Sequence, residues 1–310
     1  MPSLQTIRCN FLEFIFMRFK INDFSNLFEM KLLLFVFSPL ISNSQIIYKG
    51  TVINSTTRKP VAYATVGLLK ENAGINANED GVFSLSLGKY VTDTLIISCA
   101  GYETKKFPID NLPPDSRFEI PAKQIVLSNL VVRSNYKHSS ILNDYENCGL
   151  NSYTSTGSVT QIAQHLQSPV ANAMLSEIYI CKRSDNSLFR IRVYDMDSAS
   201  GKPGHDLADT IIEVNSGKRH VQVNLEKYNI VIPGKDFFVG NEWIYVPINK
   251  FRTKIKGQKN YLIQYSPLIF FKNKRIENEN RLEAWQLDYR RKWLRTSNDW
   301  FFLISAKVKY

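Results

Sequence analysis

The chain has 310 residues, of which 44% are hydrophobic and 22% charged, so it can bury a core and is not disordered by composition. Its length admits one to three domains. Fifteen Tyr and nineteen Phe bring the aromatic content to 12%, which favours strand over helix. The formal charge is +11. A basic balance raises nucleic acid or an anionic surface as partner, but no nucleic-acid motif accompanies it, so nucleic acid is set aside.

Residues 1–44 read as export apparatus rather than fold. Met30-Lys31 precedes the apolar run Leu32 to Ile41, and Ser42 and Ser44 supply the small residues that cleavage requires. This is the pattern of a secretory signal peptide cut between Ser44 and Gln45, with Met30 as the true start. The apolar run is short for a bilayer span. The alternative keeps Phe11 to Phe19 as an interfacial segment, although Glu13 and Arg18 break it.

Short β-rich runs then follow at near-regular spacing. Ile46 to Ile53, Pro60 to Leu69, Val82 to Leu85, Asp93 to Ser98 and Lys106 to Ile109 are separated by turns rich in Gly, Pro, Asn and Asp. That spacing predicts a small all-β sandwich. Asp80-Gly81 suits a tight hairpin, since Gly accepts positive φ and Asp hydrogen-bonds its own turn. The ordered set Gly50, Pro60, Ala64-Thr65-Val66, Asp80-Gly81-Val82-Phe83 and Gly101-Tyr102 resembles the carboxypeptidase-like regulatory domain. The resemblance covers about sixty residues. It implies a transthyretin-like seven-stranded β-sandwich over residues 45–133, and structural roles for the residues that carry it. Gln124 to Arg133 is the last strand of that sandwich or the connection to the next domain.

The polar stretch 134–152 reads as a linker, and 153–310 as a second, larger domain. Tyr153 to Leu166 fits a short amphipathic helix or an edge segment. Beyond it, Ser187 to Tyr194 alternates strictly, with Phe189, Ile191 and Val193 on one face. At least seven such runs and no long helical pattern predict a jelly-roll-like antiparallel β-sandwich. Several of these runs, Phe189 to Tyr194 and Phe238 to Ile244 among them, look similar to the C-terminal part of exported bacterial proteins that carry the same regulatory domain. That similarity implies architecture and no activity.

Cysteine and histidine usage limits the chemistry. Cys99, Cys148 and Cys181 remain after the leader, an odd and widely spaced set that is neither a disulfide framework nor a zinc site. An oxidising compartment permits one disulfide among them, and spacing does not choose the pair. None of His138, His165, His205 and His220 has Glu three residues on, so the zinc constellation of a metallocarboxypeptidase is missing. There is no G-x-S-x-G elbow, Walker loop or dinucleotide fingerprint. Glu177, Asp195, Asp197, Glu213 and Glu242 are available carboxylates, but a glycosidase pair cannot be drawn from one sequence. Asp195-x-Asp197 mimics a calcium loop poorly, with Ala199 and Ser200 at the wrong positions. No metal or cofactor is expected.

Of the four tryptophans, Trp243 follows an apolar run and reads as core. Trp285 and Trp293 lie among charged residues and are the candidates for an exposed ligand-binding surface, where ring faces suit pyranose. Positive charge thickens from Lys250 through Arg252, Lys254, Lys256 and Lys259, and again near Arg290. It marks either a solvated face or a peripheral contact with an anionic surface.

The expectation is an exported, non-catalytic accessory protein of the cell envelope, in the periplasm or at the cell surface. It binds or scaffolds through β-sandwich modules, with an envelope protein or a glycan as partner. The alternatives are a glycan-binding module of a polysaccharide-handling system, or a hydrolase with an unrecognised site. By resemblance, such domains precede outer-membrane receptors for glycans or metal chelates; the tail here is too short for a membrane barrel.

Overall fold

The computed structural model describes residues 46–87, 92–110, 113, 115–123, 136–208, 210–255, 257, 260–273, 283–296 and 300–310. The leader with Met30 and the Ser44–Gln45 junction lies outside the described residues, and so does the run Gln124 to Arg133.

The first seven strands are β1 (Ile46–Asn54), β2 (Thr65–Leu68), β3 (Gly74–Asn76), β4 (Val82–Leu87), β5 (Thr94–Ser98), β6 (Lys105–Pro108) and β7 (Ser116–Ile120). They form a three-stranded sheet in the order β4-β1-β7 and a four-stranded sheet in the order β3-β2-β5-β6. The seven-stranded sandwich expected from the sequence is present. β4 shows its cause: Phe83, Leu85 and Leu87 are buried while Val82, Ser84 and Ser86 are exposed, because successive side chains of a strand point to opposite faces. The buried set packs on Val52, Val66, Ile97 and Phe118. Gly81 takes φ +72°, and a Cβ there would strike the Val52 carbonyl oxygen. The side chain that closes this turn is Asn78, which accepts from the Asp80 and Val82 amides; Asp80 was expected in that role.

The remaining strands are β8 (Ser139–Leu142), β9 (Asn151–Ser155), β10 (Val159–Gln167), β11 (Ala173–Cys181), β12 (Ser187–Met196), β13 (Pro203–Asp206), β14 (Ile212–Ser216), β15 (His220–Asn224), β16 (Val231–Ile232), β17 (Asp236–Trp243), β18 (Lys250–Lys254), β19 (Tyr261–Asn273), β20 (Ala284–Asp288), β21 (Trp293–Arg295), β22 (Trp300–Phe302) and β23 (Ile304–Lys309). A seven-stranded sheet runs β13-β12-β17-β10-β20-β21, with β14 also on β12. A second sheet runs β15-β11-β23-β8 with β16 on β11, and a third runs β18-β19-β22 with β9 on β19. Their inner faces meet in one core that includes Ile162, Ile178, Phe189, Val193, Phe237, Trp243 and Ile304. Among the described residues no helix is long and apolar enough to cross a membrane.

Two sequence expectations are corrected. The stretch taken as a linker contains β8, which pairs with β23, and the start of β9, which pairs with β19. Backbone pairing at a sheet edge accepts polar side chains, so composition hid these strands. Tyr153 to Leu166 is not a helix: Tyr153 to Ser155 lies in β9, which among the described residues pairs only with β19, while β10 lies between β17 and β20 in the middle of the large sheet rather than at an edge.

Both sandwiches belong to one compact unit, Gln45–Tyr310, and specific hydrogen bonds join them. Arg190 donates to the Ala62 carbonyl at 3.0 Å and the Tyr63 carbonyl at 3.2 Å. Asn76 donates to the same Tyr63 carbonyl at 3.0 Å, and its Oδ1 accepts the Tyr245 amide at 2.9 Å. The Tyr289 amide donates to Asn72 at 3.0 Å. Gly74 admits this contact because a Cβ there would collide with the Tyr289 ring. Tyr63 sits at φ +55°, a region costly for a bulky residue unless its surroundings hold it there.

Candidate functional site

The outer face of the seven-stranded sheet brings charge and aromatic rings together. On β12, Phe189, Ile191 and Val193 enter the core, which sends Arg190, Arg192 and Tyr194 to the other face. Cross-strand register sets Arg190 opposite Glu242 and Tyr194 opposite Phe238 on β17. It also sets Gln161 of β10 opposite Glu242, and opposite residues share a face.

Arg192 lies between two carboxylates. Its guanidinium donates to Glu242 at 2.8 Å and also pairs with Asp206 of β13. All three side chains are buried. Burial pushes the Glu242 carboxyl up, but Arg192 and Arg190 outweigh it and hold the group below the usual carboxylate range. Next along β12, burial pushes the Tyr194 phenol up to about 12, so it stays protonated and donates to Gln161 at 2.5 Å. The Arg192 guanidinium lies 5.6 Å from the centre of the Tyr194 ring. Trp293 meets that ring edge to face at 5.4 Å.

Trp285 belongs to the same cluster, with Ala163, Tyr194 and Phe238. The expectation that it is exposed is corrected: it is 7% exposed, because β20 lies between β10 and β21. Trp293 is half-buried. The structure therefore brings the two sequence candidates onto one face, one ring beneath the surface and one at it. The indole Nε1 of Trp285 and the Nε of Arg192 are buried without a hydrogen-bond partner among the described residues. Trp243 is fully buried as expected, its indole donating to the Pro267 carbonyl at 2.9 Å.

A groove of about 300 Å³ opens elsewhere, on the sheet containing β11 and β15, and is lined by Ile141, Asp144, Tyr145, Tyr179, His220 and Gln222 among others. Beside it Cys148 and Cys181 form a disulfide, which resolves the pairing that spacing left open. His220 Nε2 lies 3.5 Å from the Cys148 sulfur. With both sulfurs spent on each other, the imidazole is the one ligand left in this group. Glu177 nearby accepts from Tyr179 at 2.7 Å and from Lys307 at 3.0 Å, and these bonds hold it below the usual carboxylate range. The Asp195–Asp197 segment is a β12–β13 hairpin whose carboxylates accept from its own chain: Asp197 from Ser200 at 2.7 Å and Asp195 from the His205 amide at 2.5 Å.

The Arg192 network was not anticipated. Its only sequence signal is the alternation Phe189-Arg190-Ile191-Arg192-Val193-Tyr194, which places two arginines on the face away from the core.

The fold thus joins a small seven-stranded regulatory-type sandwich to a larger antiparallel sandwich that carries an aromatic, ion-paired face. Residues 48–132 match the family described as CarboxypepD_reg-like domain, which supports a carboxypeptidase-regulatory-like domain over that stretch. No curated protein matches the chain. Among solved structures it is similar to the cysteine protease and lectin-like domains of Cwp84, a surface-layer-associated protein of Clostridium difficile, at 11% identity and TM-score 0.34, covering 76% of this chain and 45% of that one. This chain thus spans less than half the length of that structure. It is also similar to a Bacteroides uniformis protein assigned to carbohydrate binding, at 9% identity and TM-score 0.20, covering 72% and 96%. A third is BcpA*(D312A), the major pilin subunit of Bacillus cereus, at 10% identity and TM-score 0.18, covering 83% and 69%.

Proposed function

We propose that this chain is an exported, non-catalytic accessory protein of the cell envelope that binds or scaffolds through its two sandwiches. A glycan is the ligand that the surface at Trp293, over the buried Tyr194 ring, suits best. Export rests on the Met30 to Gln45 pattern.

One observation carries the non-catalytic reading: a single guanidinium holds both Asp206 and Glu242. A glycosidase needs one carboxyl kept protonated as an acid and a second free as base or nucleophile. Here both are committed to Arg192, and Glu242 is held ionised. What remains available is recognition chemistry: the half-buried Trp293 ring lies at the surface, backed by the buried Tyr194 ring that it meets edge to face. An aromatic ring held at the surface in this way suits a ligand with an apolar ring face, such as a pyranose.

The test is incubation of the chain with envelope polysaccharide and peptide fractions, followed by mass spectrometry and by a pull-down from the same extract. The expected result is a retained glycan or envelope protein and no cleavage product. Product formation that disappears in Glu242→Gln would overturn the non-catalytic reading.

A further inference from the structure

β18 and β19 form a two-stranded ribbon whose outer end is exposed on both faces. The register pairs Lys250 with Tyr265, Arg252 with Ile263 and Lys254 with Tyr261, so these six side chains share one face. Its inner end is anchored: Tyr265 meets the Tyr245 ring at 4.7 Å and pairs with Ser155 of β9. Further out, Arg252, Thr253 and Lys254 on one strand and Tyr261, Leu262 and Ile263 on the other are all exposed. Tyr261 is 59%, Ile263 40% and Leu262 37% exposed. Ile248, just before the ribbon, is exposed as well.

Its charge is of one sign. No Asp or Glu occurs between Lys250 and Arg275. Among the described residues, Lys250, Arg252 and Lys254 take part in none of the ion pairs, although cations elsewhere in the fold do, such as Lys307 with Glu177 and Arg295 with Glu283. An edge ribbon carrying lysines is also what keeps strands from pairing with other chains. That role explains the charges but not the exposed Tyr261, Leu262 and Ile263 interleaved with them.

We infer that the outer end of the β18–β19 ribbon docks on an anionic lipid surface. Cations opposite headgroup phosphates with tyrosine and aliphatic side chains entering the interfacial layer are the chemistry of peripheral membrane contact. A soluble polyanion would reward the three cations and leave the aliphatic side chains in water. This surface is distinct from the Tyr194–Trp293 face, so the inference stands whether or not that face binds glycan.

The experiment is sedimentation of the full chain with vesicles of phosphatidylcholine alone and of phosphatidylcholine mixed with phosphatidylglycerol, at low and high salt. Two double variants accompany the wild type: Arg252→Glu with Lys254→Glu, and Leu262→Ser with Ile263→Ser. All six positions at this outer end are solvent-facing, and a thermal melt checks that each variant keeps the fold. The inference predicts binding to the phosphatidylglycerol vesicles that weakens with salt. It predicts a loss of roughly thirtyfold or more on charge reversal, at about fivefold per cation. The serine variant also loses affinity. Equal binding to both vesicle types, or binding that the charge-reversed variant retains, overturns it. So does a serine variant that binds like wild type while heparin competes, since that pattern belongs to an acidic polymer.

Discussion

Arg190 of the larger sandwich donates to the Tyr63 carbonyl of the smaller one, 127 residues away, and its guanidinium lies 5.7 Å from the centre of the Tyr63 ring. The same side chain donates to Ala62 and approaches Cys99 at 3.5 Å. A residue of the large sheet thus reaches across to two carbonyls of the small sandwich: that of Tyr63, which Asn76 also pairs, and that of Ala62. An unpaired buried carbonyl costs about 1–3 kcal/mol, so the contact joins the stability of the two sandwiches.

Arg190→Ala should therefore cost about 3 kcal/mol and separate what wild type melts together. Calorimetry of wild type is expected to show one transition and the variant an added or lowered one. A variant that keeps a single transition at the wild-type temperature would show that the two sandwiches are held together elsewhere.

Arg192→Met leaves Asp206 and Glu242 buried without their cation, which costs about 3–5 kcal/mol near neutral pH. The pH dependence follows from the direction of the Glu242 shift. Its folded pKa is depressed, so pairing contributes stability that is fully present above the unfolded value of about 4.3 and is lost as pH falls through the folded value. In the variant Arg190 and Arg291 still favour the carboxylate, but burial is opposed less and moves the group toward the neutral acid. Urea titrations should show the gap between the two proteins narrowing as pH falls toward about 4. A gap that does not change with pH would mean that the lost packing of the Arg192 stem, not its charge, sets the cost.

The Cys148–Cys181 disulfide closes a loop with sequence separation 33, for which chain entropy gives about 4 kcal/mol and common experience about 2–4. It ties the segment carrying Asp144 and Tyr145, one wall of the groove, to β11. The Cys148→Ser, Cys181→Ser double variant and the reduced wild type should melt together, both below the oxidised protein. Burial pushes the Cys99 thiol up, so peptide mapping should find Cys99 alkylated only after denaturation. Modification of Cys99 in the native protein would show that the Arg190 contact between the sandwiches opens.

The parts of this fold that were legible in the sequence are those set by local alternation. Phe189, Ile191 and Val193 face the core because strand period forces it, and the five short runs read between Ile46 and Ile109 fall on β1, β2, β4, β5 and β6, whereas β3 is too short to show a period and β7 lies in the Pro-rich stretch 110–122 that reads as turn and loop. What was hidden depends on neighbours far along the chain. Trp285 looked exposed because Glu283, Asp288 and Arg290 flank it. Those charges pair at the strand's ends, Glu283 with Arg295 and Asp288 with Arg290, while β10 and β21 enclose the ring between them. β8 is polar and reads as linker from composition, yet it is held by backbone bonds to β23, which side-chain composition does not report. The Arg192 network joins residues 14 and 50 positions apart, a distance at which one sequence carries no pairing signal.

The central claim is that the face bearing Tyr194 and Trp293 binds a glycan and does not cleave it. The most direct measurement is a glycan array probed with wild type, Trp293→Ala and Trp293→Phe, each checked by thermal melt. Here Phe restores a ring beside Tyr194 and serves as the rescue. The account predicts array binding that Trp293→Ala abolishes and Trp293→Phe partly restores. A silent array, or binding unchanged in Trp293→Ala, would contradict it.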